Sequence, residues 1–262
     1  MFLRYLFAVV LLLASLAHAQ TVVSAANPGI GITADSLATI YGDHLATQSA
    51  TAPSLPWPNA LGDIPFVTIV DSASHSQPVS LIYVSPNQMN IWIPPGTAAG
   101  AAVVSFPVTG LPPGVGTAAL RQVPVTIQKV APALFTIDGS GTGVAAATAI
   151  RVVIPSGIQS PVPVFRCGPY SCTAVATSLG VDTPIYLSFY GTGIRGASGL
   201  ANVFATIGGT WVQALYDGAQ NQIPGLDQIN VPLPLALRGS GMVDVTVTVD
   251  GVKSKAVQII VQ

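Results

Sequence analysis

The stretch Val243-Asp-Val-Thr-Val-Thr-Val249, followed by Asp250-Gly251, decides the fold class. Valines at every second position alternate with Asp and Thr, so one face suits a core and the other faces water. Asp250-Gly251 then marks a turn. The same period recurs at the end of the chain, where Val257, Ile259 and Val261 alternate with Gln258 and Gln262. It recurs again in the middle, where Val123, Val125 and Ile127 alternate with Gln122, Thr126 and Gln128. The chain carries 26 Gly and 22 Pro, spread so widely that no long helix fits between them. Neither residue suits a helix interior. Short strands broken by Gly/Pro turns predict an all-β chain built as a sandwich or a barrel.

Composition narrows the function classes. Charged residues are 7% of the 262, apolar residues 50%, and all ten acids are Asp. So apolar a chain is not a charged disordered polymer. Nine basic residues cannot build a stripe that tracks phosphates, so no nucleic-acid partner is expected.

Residues 1–19 read as a cleaved signal peptide: one charge at Arg4, an apolar run from Leu6 to Leu16, then Ala17-His18-Ala19. The run is shorter than the roughly 20 residues that span a bilayer. The mature chain is predicted to begin at Gln20, to be secreted, and not to insert in a membrane. In that compartment Cys167 and Cys172, which flank a Gly-Pro turn, are predicted to form a disulfide.

An internal repeat organises the rest. Ala38-Thr-Ile-Tyr-Gly42 parallels Leu187-Ser-Phe-Tyr-Gly191, and Val67-Thr-Ile-Val70 parallels Phe204-Ala-Thr-Ile207. Leu81-Ile-Tyr83 parallels Ala214-Leu-Tyr216. The sharpest match sets Gln88-Met-Asn90-Ile-Trp-Ile93-Pro94 against Gln228-Ile-Asn230-Val-Pro-Leu233-Pro234. Ala101–Phe106 then parallels Val243–Val249. These repeats predict domains at 20–130 and 131–262, joined near Lys129-Val-Ala-Pro-Ala133. The second is expected to carry extra N-terminal strands and the Cys hairpin.

The same residues carry a resemblance. Ser36–Leu45, Ile82–Pro94 and Ala131–Gly141, with Phe189–Arg195, Leu215–Gly218 and Gly225–Val231, resemble the Solibacter-type C-terminal domain of secreted acidobacterial proteins. Each half also resembles an IPT/TIG immunoglobulin-like domain, through Ile-Tyr-Gly-x-x-Leu and a later Asn-x-x-x-Pro strand. The resemblance implies tandem immunoglobulin-like sandwiches and a secreted protein, and it implies no activity.

Gly191-Thr-Gly193-Ile-Arg-Gly196 has the letters of a dinucleotide fingerprint, but a Gly-broken strand pattern follows where a helix is required. It reads as a turn. His44 and His75 sit in turn-like contexts, and Asp43, Asp138-Gly139, Asp217-Gly218 and Asp250-Gly251 read as turn residues rather than carboxylate pairs. Asp138–Gly143 lacks the carboxylates of a calcium loop. No catalytic residue, metal or cofactor is expected.

Gln88, Asn90, Gln228 and Asn230 recur, and alternation sets each pair on one strand face. Their amides are expected to satisfy the backbone of a neighbouring loop; a ligand contact is the sharper alternative. Trp57, in the proline-rich Leu55–Asn59, has the setting of an exposed indole that stacks on a sugar or peptide. Trp92, on the Asn90 side of its strand, and Tyr170, between the cysteines, are further candidate contacts. For Trp57, Trp92 and Trp211 alike, packing is the expected role and a ligand contact the alternative. The expectation is a secreted non-catalytic interaction, adhesion or structural module meeting a protein or glycan surface. A carbohydrate-binding module is the alternative, and a hydrolase with an unrecognised site the next.

Overall fold

The computed structural model describes residues 20–109 and 120–262; the signal-peptide expectation for 1–19 lies outside the described residues. The chain is all-β, and its helical elements among the described residues are two three-residue 3-10 turns, Leu200–Asn202 and Leu235–Leu237.

The first half contributes β1 (Thr21–Ser24), β2 (Ile32–Thr33), β3 (Leu37–Tyr41), β4 (Ala50–Thr51) and β5 (Thr68–Val70). It continues with β6 (Ser76–Pro78), β7 (Ser80–Val84), β8 (Gln88–Trp92), β9 (Gly100–Pro107) and β10 (Leu120–Gln128). These form two five-stranded sheets, ordered β1-β3-β8-β7-β4 and β2-β10-β9-β5-β6. Ala38, Ile40, Leu81, Met89 and Ile91 face Ile69, Val104, Phe106 and Ile127 across one buried core.

The second half opens with β11 (Ala133–Leu134), β12 (Ala147–Val153), β13 (Ile158–Val162), β14 (Phe165–Cys167), β15 (Cys172–Ala174) and β16 (Ala176–Thr177). Then come β17 (Ile185–Thr192), β18 (Val203–Ile207), β19 (Thr210–Gln213) and β20 (Tyr216–Ala219). Last are β21 (Asp227–Pro232), β22 (Gly241–Val249), β23 (Val252–Lys253) and β24 (Val257–Val261). One sheet runs β13-β12-β17-β21-β20 with β11 also on β17, and the other runs β16-β24-β22-β18-β19 with β23 on β22. The alternating valines of β22 sit in the core with Phe189, Ile229, Val231 and Ile259. Burying such a side chain is worth about 1.5–3 kcal/mol. Among the described residues every ladder stays within one half.

The repeat is visible in the pairing itself. Tyr41 lies opposite Gln88 and Thr39 opposite Asn90; Tyr190 lies opposite Gln228 and Ser188 opposite Asn230. Tyr83 and Tyr216 sit opposite the two asparagines on the next strand. One repeat alignment needs correction. Val67 and Val203 each accept a hydrogen bond from the residue just past the following strand, Val79 after β6 and Ala214 after β19. Val67 therefore matches Val203, not Phe204, one residue from the sequence alignment. A one-residue slip exchanges the core and solvent faces, and burial agrees with the corrected register: Ile69 and Ala205 are both inside.

Two further expectations change. Asp217-Gly218 is no turn: both residues lie in β20, with Asp217 opposite Ile229 and Gly218 opposite Gln228. The Cys167–Cys172 disulfide is present, and the two cysteines face each other across β14 and β15. That hairpin forms its own two-stranded sheet and does not extend the larger ones. Arg166, Cys167, Gly168, Pro169 and Tyr170 are exposed towards its tip, while Phe165 at its base is half-buried and packs against the core of the second half.

Candidate functional site: a recess where the halves meet

The second half rests against the outward face of the β3–β8 sheet, and a half-buried guanidinium fixes the contact. Arg195 Nε and Asp227 Oδ1 are 2.5 Å apart, and Arg195 Nη1 and Asp35 Oδ2 are also 2.5 Å apart. Arg195 Nη2 donates to the Leu226 carbonyl at 2.7 Å. The second Asp227 oxygen accepts the backbone N–H of Ile194 at 2.7 Å and of Arg195 at 3.3 Å. The Asp227 side chain is fully buried. Burial pushes its carboxyl up, against the opposing pull of Arg195 and the two N–H groups. Burial also works against the charged guanidinium, but Asp227 and Asp35 outweigh it and hold the Arg195 pKa above its ordinary value. Asp35 takes part from the first half, and its Oδ1 accepts the Trp92 indole N–H at 2.8 Å.

Two more contacts join the halves. The Leu37 N–H donates to the Thr192 hydroxyl at 2.8 Å, and that hydroxyl donates to the Gly225 carbonyl at 2.9 Å. The Asn27 amide donates to the Gly141 carbonyl at 2.9 Å. Gly225, at φ +73°, lies so close that a Cβ there would sit 2.9 Å from the Trp92 ring and 3.1 Å from Leu37.

The glycines of the apparent dinucleotide fingerprint have a structural task. A Cβ at Gly191, Gly193 or Gly196 would run into the carbonyl oxygens of Ala133, Ala131 and Lys129 respectively. The joint between the halves lies flush along this row, and Ala131 donates its N–H to the Gly193 carbonyl at 2.9 Å. The run therefore brings a backbone close to a backbone, with Arg195 carried between the second and third glycines.

Above this junction opens a recess of about 500 Å³. Gln88, Asn90, Thr39 and Tyr41 line it from β3 and β8; Trp57 and Ile82 line it from the same half, and Phe135 and Ile223 from the other. Apolar walls with a few fixed polar groups, at this size, suit a small ligand or a single inserted side chain. Trp57 meets Trp92 edge to face, with ring centroids 6.4 Å apart.

The repeated amides do not serve loop backbones, as the sequence reading expected. Gln88 Nε2 donates to Asn90 Oδ1 at 2.8 Å, and Gln228 Nε2 donates to Asn230 Oδ1 at the same distance. Side chains two apart on a strand lie on one face, so each amide is the other's nearest partner. Thr39 adds a donor to Asn90 Oδ1 at 3.1 Å. The Asn90 amide N–H₂ and the Gln88 carbonyl are the groups this ladder leaves for the recess.

Of the aromatic candidates, Trp57 lines the recess. Trp92 does face outward from its strand, but its N–H is taken by Asp35 and its ring is covered by Gly225. Tyr170 is 99% exposed at the tip of the Cys hairpin, away from the recess lining. Arg195, Asp35 and Asp227 were missed by sequence reasoning. Asp227 alone had a signal, as the Asp in Gly225-Leu-Asp-Gln-Ile-Asn-Val231 that heads a strand with inward Ile229 and Val231.

The histidines lie elsewhere. His75 Nδ1 is 3.9 Å from the Asp71 carboxylate, whose oxygens accept the N–H groups of Ala73, His75 and Ala98. His44 stands at φ +56° in a loop. Among the described residues no cluster of three or more His, Cys or Asp side chains is placed to hold a metal ion, and no helix is long and apolar enough to cross a membrane. In comparisons with known proteins, no family model and no curated protein matches the chain.

Proposed function

We propose that this is a secreted, non-catalytic protein of two immunoglobulin-like (IPT/TIG-like) sandwiches, an interaction or structural module of the cell envelope or extracellular matrix. The recess carries this reading. Its lining offers amides, hydroxyls and aromatic or aliphatic walls, the chemistry of recognition rather than of proton transfer. The Solibacter-type resemblance and the disulfide support the secreted setting. Outer strands such as β19 and β6 offer edges that a partner strand can extend.

The test is sedimentation of purified protein with cell envelopes and matrix of the producing cells. Binding is expected to persist between about 50 and 300 mM salt, across which the Debye length shortens markedly, and to weaken in Trp57→Ala. Loss of binding with salt would overturn the uncharged mechanism. Turnover in a hydrolase panel that disappears in His44→Ala or His75→Ala would overturn the non-catalytic reading. A second reading, a carbohydrate-binding module, is favoured by one observation: an indole and free amide groups share the recess.

A further inference from the structure

A separate hollow of about 560 Å³ lies on the second half, lined by Lys129, Asn202, Phe204, Trp211 and Asp250 among others. β19 is the outermost strand of its sheet. Val212 points inward, so Trp211 points out, and it stays 57% exposed. Phe204, on the neighbouring strand, meets it with ring centroids 5.4 Å apart. Together they make an aromatic floor that the protein leaves open.

The facing wall is polar and held in place. Asp250 sits at φ +48°, and its carboxylate accepts the Ser198 N–H at 2.9 Å and the Ser198 hydroxyl at 2.5 Å. The Asn202 amide donates to the same hydroxyl at 2.8 Å. Gln213 donates to the Leu200 and Val203 carbonyls, both at 2.7 Å, and so pins the 3-10 turn that presents Asn202. The Lys129 ammonium stands 3.9 Å from Asp250.

The chemistry of this pair of surfaces selects its occupant. An anion would meet Asp250 and a cation would meet Lys129. A purely apolar group would strip water from both charges without replacing their hydrogen bonds. A pyranose ring satisfies every surface. Its C–H face lies on the negative face of an indole, while its rim hydroxyls donate to a carboxylate and accept from an ammonium or amide. We propose that the hollow between Trp211 and the Asp250–Lys129 pair binds one ring of a neutral polysaccharide. This extends the carbohydrate reading to a second surface and does not depend on the recess.

The experiment is affinity electrophoresis of the purified protein in gels containing mixed-linkage β-glucan, xylan, galactomannan or dextran. Trp fluorescence titration with the oligosaccharide of any polysaccharide that retards it follows. At least one is expected to retard the protein and to shift its emission. Trp211→Ala should weaken binding by about tenfold or more, equivalent to ~1.4 kcal/mol, and Lys129→Met should weaken it by a smaller factor. Ile158→Ala, at an exposed position on the outermost strand of the other sheet, should leave it unchanged. Circular dichroism of Trp211→Ala should match the parent, because the ring is largely outside the core. Absence of retardation by all four polymers would overturn the proposal. So would binding that survives Trp211→Ala; if Trp57→Ala then abolishes it, the sugar belongs to the recess.

Discussion

The Leu37 amide donates to the hydroxyl of Thr192, a residue 155 positions further along the chain, at 2.8 Å. The hydroxyl is buried and donates its own O–H to the Gly225 carbonyl. One side chain thus satisfies a donor in one half and an acceptor in the other.

Thr192→Val keeps the shape and removes that relay. It leaves the Leu37 N–H and the Gly225 C=O without their partner, which costs about 1–3 kcal/mol for a buried polar group. Hydrogen exchange at Leu37 should accelerate while exchange at β22 amides changes much less. Equal acceleration throughout would show that the contact has no local role.

Arg195→Met leaves the Asp227 carboxylate buried and without its cation. Breaking a buried pair from one side costs roughly 3–5 kcal/mol, so a marked fall in melting temperature is expected. The maximum dimension in small-angle scattering should grow as the halves part. Arg195→Lys should recover only part of the loss, because an ammonium lacks the planar fork that reaches Asp35, Asp227 and the Leu226 carbonyl together. Full recovery by Lys would refute the bridging role.

Asp71 sets an acid limit. The N–H of Ala98 holds its carboxyl below the ordinary value of 3.8; burial opposes this, and the His75 and Ala73 N–H groups add to it. A depressed carboxyl contributes stability that is complete above its unfolded value and is lost as pH falls through its folded one. Asp71→Asn should therefore melt lower than the parent at pH 6, and the gap should close as pH falls below about 3.8. Thermal melts from pH 6 to 2.5 check this; a constant gap would contradict it.

The disulfide acts locally. Closing so short a loop is worth about 2 kcal/mol in the chain-entropy model, but among the described residues β14 and β15 pair only with each other. Replacing both cysteines with Ser should shift the global melting temperature little and make cleavage by trypsin at Arg166 much faster. A large global loss with slow cleavage would place the hairpin inside the cooperative unit.

The strands were legible wherever valines alternate, because a two-residue period in β22 or β24 has one physical meaning. The Gln-x-Asn repeat was legible as a strand motif, but the partner of each amide was not, since two readings of one face differ only in side-chain rotamer. The match of Val67 to Phe204 is one residue out of register because both are apolar letters, and only the strand pairing tells which of them faces the core. Trp211 carried a usable signal: Gly208-Gly209 marks a tight turn, and Val212 beside it fixes the parity. Arg195 carried none, because Asp35 is 160 residues away and nothing local distinguishes an arginine that reaches that far.

The glycine row that receives the joint also sets a clock. The joint at 129–133 and the outer face of β3–β8 find their partners only after residues 191–227 have been made. A chain that emerges from its N-terminus must complete its first sandwich with that face still uncovered and the Trp92 ring met by Trp57 alone on its outer side. Folding proceeds domain by domain, and transiently uncovered apolar surface is where aggregation begins. The interval before Arg195 and Gly225 arrive is thus the chain's most exposed moment, and the one at which a chaperone has a surface to hold.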